Sequence, residues 1–410
     1  MLQDMAERPL GTAASSPLAG RLPLLVGLFL AALTYRPQVV GLGPLIPDIQ
    51  RSLDVSHAAV GLLVTIPVLC LGIFSPVAPI LAGRIGALHA VSLSIGLIGV
   101  GGAIRSIVPG LTGILLMTLL IGIGMGVGNT MMVVAVKERF ADHALRSTSV
   151  YAMGIQISSG ASAALAVPIA LALDGWRSSL LVYSLFTLVM LAAWLLLTRK
   201  AHAQRTFAEF PRFPIRNPAV WLLACLFGLM GILYYGINTW VPAAYVEHGS
   251  TVQYAGLLSA LYNVGMIPGP LAVIAIGERA SRRRLLLIMG AGIALVTVLL
   301  IIAPAHAEAW MLFGGFCNGA MFTLAMSLPL EVADRPLDVG AAAAMMLFFG
   351  YLISACAPSL LGGVRDLTGS FELVLLFFPA AALLYLICAG LLSPARLHRR
   401  PPTTASTPVD

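Results

Sequence analysis

Charge is scarce in this sequence. Asp, Glu, Lys and Arg make up only 10% of its 410 residues, where an average soluble domain carries roughly 25%, and that shortage excludes a water-soluble globular protein. Cysteine is scarce too. The five present, Cys70, Cys225, Cys317, Cys356 and Cys388, stand at unrelated spacings inside apolar runs. They form no disulfide or metal pattern and read as small core residues. The seven histidines fall in loops, tails or at the ends of runs, so no buried histidine switch is expected. Asp and Glu are missing from the middle of every long apolar run. Asp48, Asp54, Glu138, Asp174, Glu247, Asp366 and Glu372 all lie in loops or within about one helical turn of a run's end. That absence excludes an acidic mid-membrane site for a cationic drug and a carboxylate proton relay.

What is present is hydrophobicity. Apolar residues make up 59% of the chain, gathered into twelve runs of about 18 residues or more, each long enough to cross about 30 Å of hydrocarbon as helix. The first extends from Leu22 to Ile49 and the last from Leu373 to Leu392. The first run is too long for a secretory signal and carries Arg36, so it is expected to be retained. With the N-terminus inside, the cytoplasmic segments hold most of the Lys and Arg, while the opposite segments hold only Arg51, Arg105, Arg177 and Arg365. This asymmetry puts both termini in the cytoplasm and explains the formal charge of +7 as a topology signal, with no nucleic-acid partner required. The expected fold is an all-α polytopic membrane protein, with twelve transmembrane helices in two six-helix bundles. Its expected location is the bacterial inner membrane, where the chain acts as a monomer in the lipid bilayer.

The two halves echo each other. "VGLL" at Val60 to Leu63 leads to Arg84, and "AGLL" at Ala255 to Leu258 leads to Arg279 with the same spacing. A weaker echo links "GIGMGVGN" at Gly122 to Asn129 with "GGFCNGAM" at Gly314 to Met321. The bundles are assigned to residues 21–198 and 218–392, joined by a polar, basic, proline-containing cytoplasmic linker at 199–217. Residues 1–20 and 393–410, rich in Pro, Ser, Thr and Ala, read as disordered cytoplasmic tails.

Two such bundles are the arrangement of a secondary transporter, which binds its substrate near the midplane between the halves. Arg36 is the sharpest candidate. It lies roughly 21 Å into its run at 1.5 Å per residue, too deep to reach a headgroup easily. Placing it there costs about 2.5–3.5 kcal/mol on the insertion scale. No carboxylate lies at its depth, and carbonyls freed by Pro37 leave its charge uncompensated. Two readings stand: an anion-binding arginine in a water-filled cavity, and a structural arginine bonded to carbonyls. The other mid-depth polar residues are Tyr35, Gln38, Asn129, Thr130, Gln156, Tyr234, Tyr235, Asn238, Asn263, Asn318 and Tyr351. Each alone fits an interhelical contact, and the set fits uncharged donors around a small anion. The glycines at 122, 124, 126 and 128 follow no strand and read as helix packing, not as a phosphate loop. Pro37, Pro44, Pro47, Pro268 and Pro270 read as kinks near gates. "LAGRIG" places Gly83 and Arg84 at a cytoplasmic turn that latches the halves.

These pieces resemble the major facilitator superfamily, and within it the cyanate porter and 2-nitroimidazole exporter family. The resemblance rests on "LTYRPQVVGLGPLI", "VGLLVTIPVLCLGIFSPVAPILAGRIG", "GIGMGVGNTMMVVAVKERF", "LYYGINTWVP" and "SLLGGVRDLTGS". It implies alternating access, small anions or small polar heteroaromatic molecules as substrates in either direction, and a cavity faced by Arg36 and Asn129. "TYRP" departs from the smaller polar residue and leucine expected before the arginine. The expected function is transport of a small anion with Arg36 as counter-ion and no cofactor; export of neutral nitroheterocycles is the alternative. A proton as coupling ion stays open, since it can enter with the anion as its neutral acid or through water and Arg36. No buried His, Asp or Glu is available to an intramembrane enzyme. A receptor that binds without moving its ligand is not separated from a transporter by the residues alone.

Overall fold

The computed structural model describes residues 22–140, 144–199, 213–276, 280–332 and 336–392. The tails at 1–20 and 393–410, and linker residues 200–212, lie outside the described residues. Twelve helical spans long and apolar enough to cross a membrane follow in order: Leu22–Leu53, His57–Phe74, Ala87–Ile107, Leu111–Val136, Val150–Ala172, Trp176–Thr198, Pro218–Glu247, Val252–Ile276, Arg282–Ile302, Pro304–Ser327, Val339–Thr368 and Glu372–Leu391. They are called spans 1 to 12. No strand occurs among the described residues. Both findings match the expected fold class, and the physical reason is general: in hydrocarbon every backbone N–H and C=O must be satisfied within the segment.

The ends are set locally. Ser56, Thr251 and Ser281 stand at helix N-caps, and their hydroxyls accept from the N–H of Ala59, Tyr254 and Arg284. Gly86, at φ 84°, reverses the chain before span 3, a conformation that side-chain-bearing residues avoid. Gly83 and Arg84, expected in that turn, instead belong to the short helix Ala78–Ile85, and Arg84 is exposed in its last turn.

Span 1 is not one helix. Helix Leu22–Ala32 stops and the chain bends through Leu33 to Arg36. It resumes as Pro37–Val40, tightens into a 3-10 turn at Gly43–Leu45 and continues as Ile46–Leu53. Pro37, Pro44 and Pro47 each lack a backbone N–H and each sits at the start of one of these pieces. At the bend, the N–H groups of Thr34 and Tyr35 bond three residues back, to Ala31 and Ala32, and the ladder ends.

The halves meet along two related crossings, span 2 on span 11 and span 5 on span 8. The repeated glycines occupy them. A Cβ on Gly61 would lie 2.6 Å from the Pro358 carbonyl oxygen and 2.8 Å from Ser359 Cα, both in span 11. Gly256, its counterpart, packs on Val167 of span 5 and Pro44 of span 1. Thr65 adds a hydroxyl hydrogen bond of 2.8 Å to the Ala355 carbonyl. Where span 2 begins, Asp366 of span 11 closes the contact. Its carboxylate accepts from the backbone N–H of His57 at 3.0 Å and of Ala58 at 2.9 Å, and lies 2.7 Å from His57 Nδ1. A carboxylate at the positive end of a helix satisfies donors that the helix itself leaves over.

Gly61→Val is expected to lower the thermal midpoint of the purified protein by overpacking, on the scale of about 1–3 kcal/mol. A midpoint equal to that of the parent would show that the crossing yields without cost.

Candidate substrate site

Arg36 stands where the broken span 1 faces the second half. It is half-buried, and its Nη1 donates to the Tyr235 hydroxyl of span 7 at 3.3 Å. Three more phenols, of Tyr234 in span 7, Tyr351 in span 11 and Tyr151 in span 5, lie close enough to feel its charge. Tyr234 and Tyr235 meet edge to face with centroids 4.9 Å apart. No carboxylate forms an ion pair with Arg36 among the described residues. None of its donors is sealed away from solvent without a partner. The result is a guanidinium bonded to one neutral phenol, with three more nearby, together a cage contributed by both halves.

A second layer orients the cage. Tyr234 donates to Asn263 Oδ1 at 3.1 Å, Asn263 Nδ2 donates to Asn238 Oδ1 at 2.7 Å, and Asn238 Nδ2 returns to the Tyr234 carbonyl at 3.0 Å. Tyr151 donates to Asn129 Oδ1 at 3.3 Å. A narrow void runs between Val39, Val40, Gly43 and Val64 on one side and Tyr234, Tyr235, Asn238 and Thr239 on the other, with room for little beyond a single water. A wider cleft lies wholly in the second half, lined by Tyr245, His248, Tyr254, Leu300 and Glu372, and includes no residue of the cage.

The remaining candidates are placed elsewhere. Tyr35 is buried, and its hydroxyl lies 2.9 Å from Ser94 Oγ, inside the first half. Gln38 is fully buried against spans 3 and 6, with Nε2 donating to Ser184 Oγ at 2.9 Å. Asn318 is buried, 3.5 Å from the Met230 carbonyl, within the second half. The Thr130 hydroxyl bonds its own helix at Gly126. Gln156 is half-buried and takes no hydrogen bond among the described residues. Gly122 and Gly126 press on Cys70 of span 2, and Gly128 on Tyr35, so this glycine run packs helices.

Two residues escaped the sequence reading. Tyr151 lies near the start of its apolar run, where depth alone does not single it out. Arg105 was counted with an exposed segment, but it sits in the last turn of the helix Ala87–Ile107 at 0% exposure. The signal available was its place inside the third apolar run, two residues before the end of that helix.

A helical membrane transporter built from two six-span halves is the class this architecture defines. The chain belongs to the Major Facilitator Superfamily, whose family model matches residues 24–358. It is 30% identical to the 2-nitroimidazole transporter of Escherichia coli (strain K12), over 92% of this chain and 98% of that one. It is 28% identical to the cyanate transport protein CynX of the same organism, over 85% and 91%. Among solved structures it shares the fold of the nucleoside transporter NupG, with a TM-score of 0.73 and 13% identity over 90% of this chain and 98% of that one. It is likewise similar to a D-xylose-proton symporter, with a TM-score of 0.67 and 15% identity over 92% and 98%. It is a transporter and not an enzyme.

Tyr235→Phe removes the one hydrogen bond to the Arg36 guanidinium found among the described residues, and little else. It is expected to cost about 1.5–3 kcal/mol, the range for bonds to charged groups. Thermal melting of the purified protein checks this, and an unchanged midpoint would show that the bond contributes nothing.

Proposed function

We propose that this protein moves a small anion across the inner membrane by alternating access, with Arg36 as the substrate's counter-ion. The observation that carries the reading is the position of Arg36: a guanidinium at the meeting of the halves, caged by neutral phenols and unmatched by any carboxylate among the described residues. Such a group meets an anion with several N–H donors in a fixed plane, and it keeps its charge at any physiological pH. The phenols and the Asn238–Asn263 pair supply orientation without competing charge. The cyanate transport protein among the relatives supports the substrate class.

The distribution of Lys and Arg among the loops supports a topology with both termini in the cytoplasm. With that orientation the Asp366 contact lies at the outer face, so the protein is closed to the outside here and a rocking motion of the halves opens it. Coupling to a proton is compatible with the site if the proton travels with the anion as its neutral acid. A monomer suffices, since both halves of the cage come from one chain.

A second reading is favoured by one feature, the four aromatic rings. A flat nitroheterocycle stacks on phenols and accepts from Arg36 through its nitro oxygens, which fits the 2-nitroimidazole transporter among the relatives.

Thermal-shift titration of cyanate, other small anions and 2-nitroimidazole against the parent and Arg36→Gln separates the two. The anion reading expects an anion to stabilise the parent and the effect to vanish in a folded Arg36→Gln, followed by uptake of that anion into proteoliposomes. Stabilisation that survives the substitution, or comes only from the neutral compound, removes it.

A further inference from the structure

The first half holds a second arginine without a carboxylate. Arg105 Nη2 donates to both oxygens of one residue, Gln38 Oε1 at 2.6 Å and the Gln38 carbonyl at 3.0 Å, while Nη1 reaches Thr118 Oγ1 at 3.4 Å. Its Nε is buried with no hydrogen-bond partner. No ion pair offsets its charge among the described residues. A fully buried guanidinium held this way is costly to place in a bundle, and the residue it grips is the one next but one to Arg36.

The grip falls on the break in span 1. The N–H of Leu42 bonds the Val39 carbonyl and that of Gly41 the Pro37 carbonyl, which leaves the Gln38 carbonyl without a main-chain donor. Arg105 supplies the missing donor. The Gln38 amide is held from its other end, with Nε2 donating to Ser184 Oγ at 2.9 Å and to the Leu180 carbonyl at 3.4 Å. Gly102 makes the approach possible: a Cβ there would lie 2.6 Å from Gln38 Nε2. The end of span 3 is itself tied down, since Arg177 Nη1 donates to the carbonyls of Ser106 at 3.2 Å and Val108 at 2.9 Å. Arg36 is the N-cap of the short helix Pro37–Val40, so fixing Gln38 inside that helix fixes the piece of chain from which Arg36 projects.

We propose that Arg105 is a positioning residue for Arg36: by holding both oxygens of Gln38 it sets the phase of the chain after the break and aims the Arg36 guanidinium across the interface at Tyr235. Its consequence for transport rests on the reading of Arg36 as the substrate's counter-ion.

A double-mutant cycle on thermal midpoints of the purified full chain tests it, pairing Arg105→Gln with Tyr235→Phe, which share no hydrogen bond. If Arg105 aims Arg36, Tyr235→Phe lowers the midpoint in the parent and has no effect in Arg105→Gln, because the bond it removes is already gone. Arg105→Lys combined with Gln38→Glu rebuilds the grip as an ion pair and restores the Tyr235→Phe effect. Equal drops in both backgrounds overturn the proposal, as an Arg105 that merely fills space predicts. Where Arg105→Gln does not fold, Arg105→Lys, which keeps the charge and loses the two-oxygen grip, takes its place in the cycle with the same two outcomes. The Kd of an anion that stabilises the parent is read alongside, and is expected to rise about tenfold to a hundredfold, as for a binding group displaced by about 1 Å; an unchanged Kd overturns the proposal. A non-additive cycle in a protein that binds no anion would leave the positioning role standing and remove the substrate role of Arg36, so the two readings fail separately.

Discussion

A positive charge inside a membrane-spanning bundle has to be solvated by something, and where no carboxylate is at hand, neutral dipoles must do it. Much of the architecture around span 1 follows from that requirement. A continuous helix engages its carbonyls with its own N–H groups and leaves each only a second lone pair for another donor. A helix interrupted at Pro37 leaves some unused, and Arg105 takes one of them. On the side that Arg36 faces, the Tyr235 hydroxyl accepts from it, and the phenols of Tyr151, Tyr234 and Tyr351 lie near. The break in span 1 and the cage across the interface are therefore two answers to one electrostatic problem.

Both answers need the halves to be in register. Arg36 comes from the first half and its hydrogen-bond acceptor from the second, so the pairing reports directly on how the halves sit against each other. The crossings of span 2 on span 11, through close backbone approach at Gly61, and of span 5 on span 8, through side chains packed on Gly256, hold that register. Asp366 adds a strongly polar tie at the end of the interface. A ligand that takes over the donors of Arg36 would compete with Tyr235, and that competition is a physical link between binding and the relation of the two halves.

Much of this was legible in the residues. Apolar run length identified twelve spans because hydrocarbon thickness leaves little latitude, and Arg36 stood out because charge at depth is rare. Depth, however, says nothing about direction. Tyr35, Arg36 and Gln38 share one depth and face three ways: toward Ser94, toward the second half and toward span 6. A regular helical wheel fails here because the bend at Leu33 to Arg36 resets the phase. Tyr151 lies close to the start of its run, where depth does not mark it, yet it bonds Asn129 and lies near Arg36. Arg105 was read as a loop residue for the opposite reason: nearness to a helix end suggested solvent, while the neighbouring spans cover it completely. Gly83 and Arg84 looked like a turn because Gly-Arg-Ile-Gly resembles one, and only Gly86 takes the positive φ.

The glycine contacts of Gly61 and Gly256 carry a mechanical consequence. Interlocking side chains mesh like teeth, and each must change rotamer before two surfaces can move past one another. At Gly61 backbone rests on the backbone of Pro358 and Ser359 and has few teeth, while Gly256 meets the side chains of Val167 and Pro44. The crossing at Gly61 therefore presents few interlocked side chains to any sliding of span 2 against span 11. The hydrogen-bonded ties across the halves, at Asp366, Thr65 and Arg36, are the contacts that such a sliding would have to break.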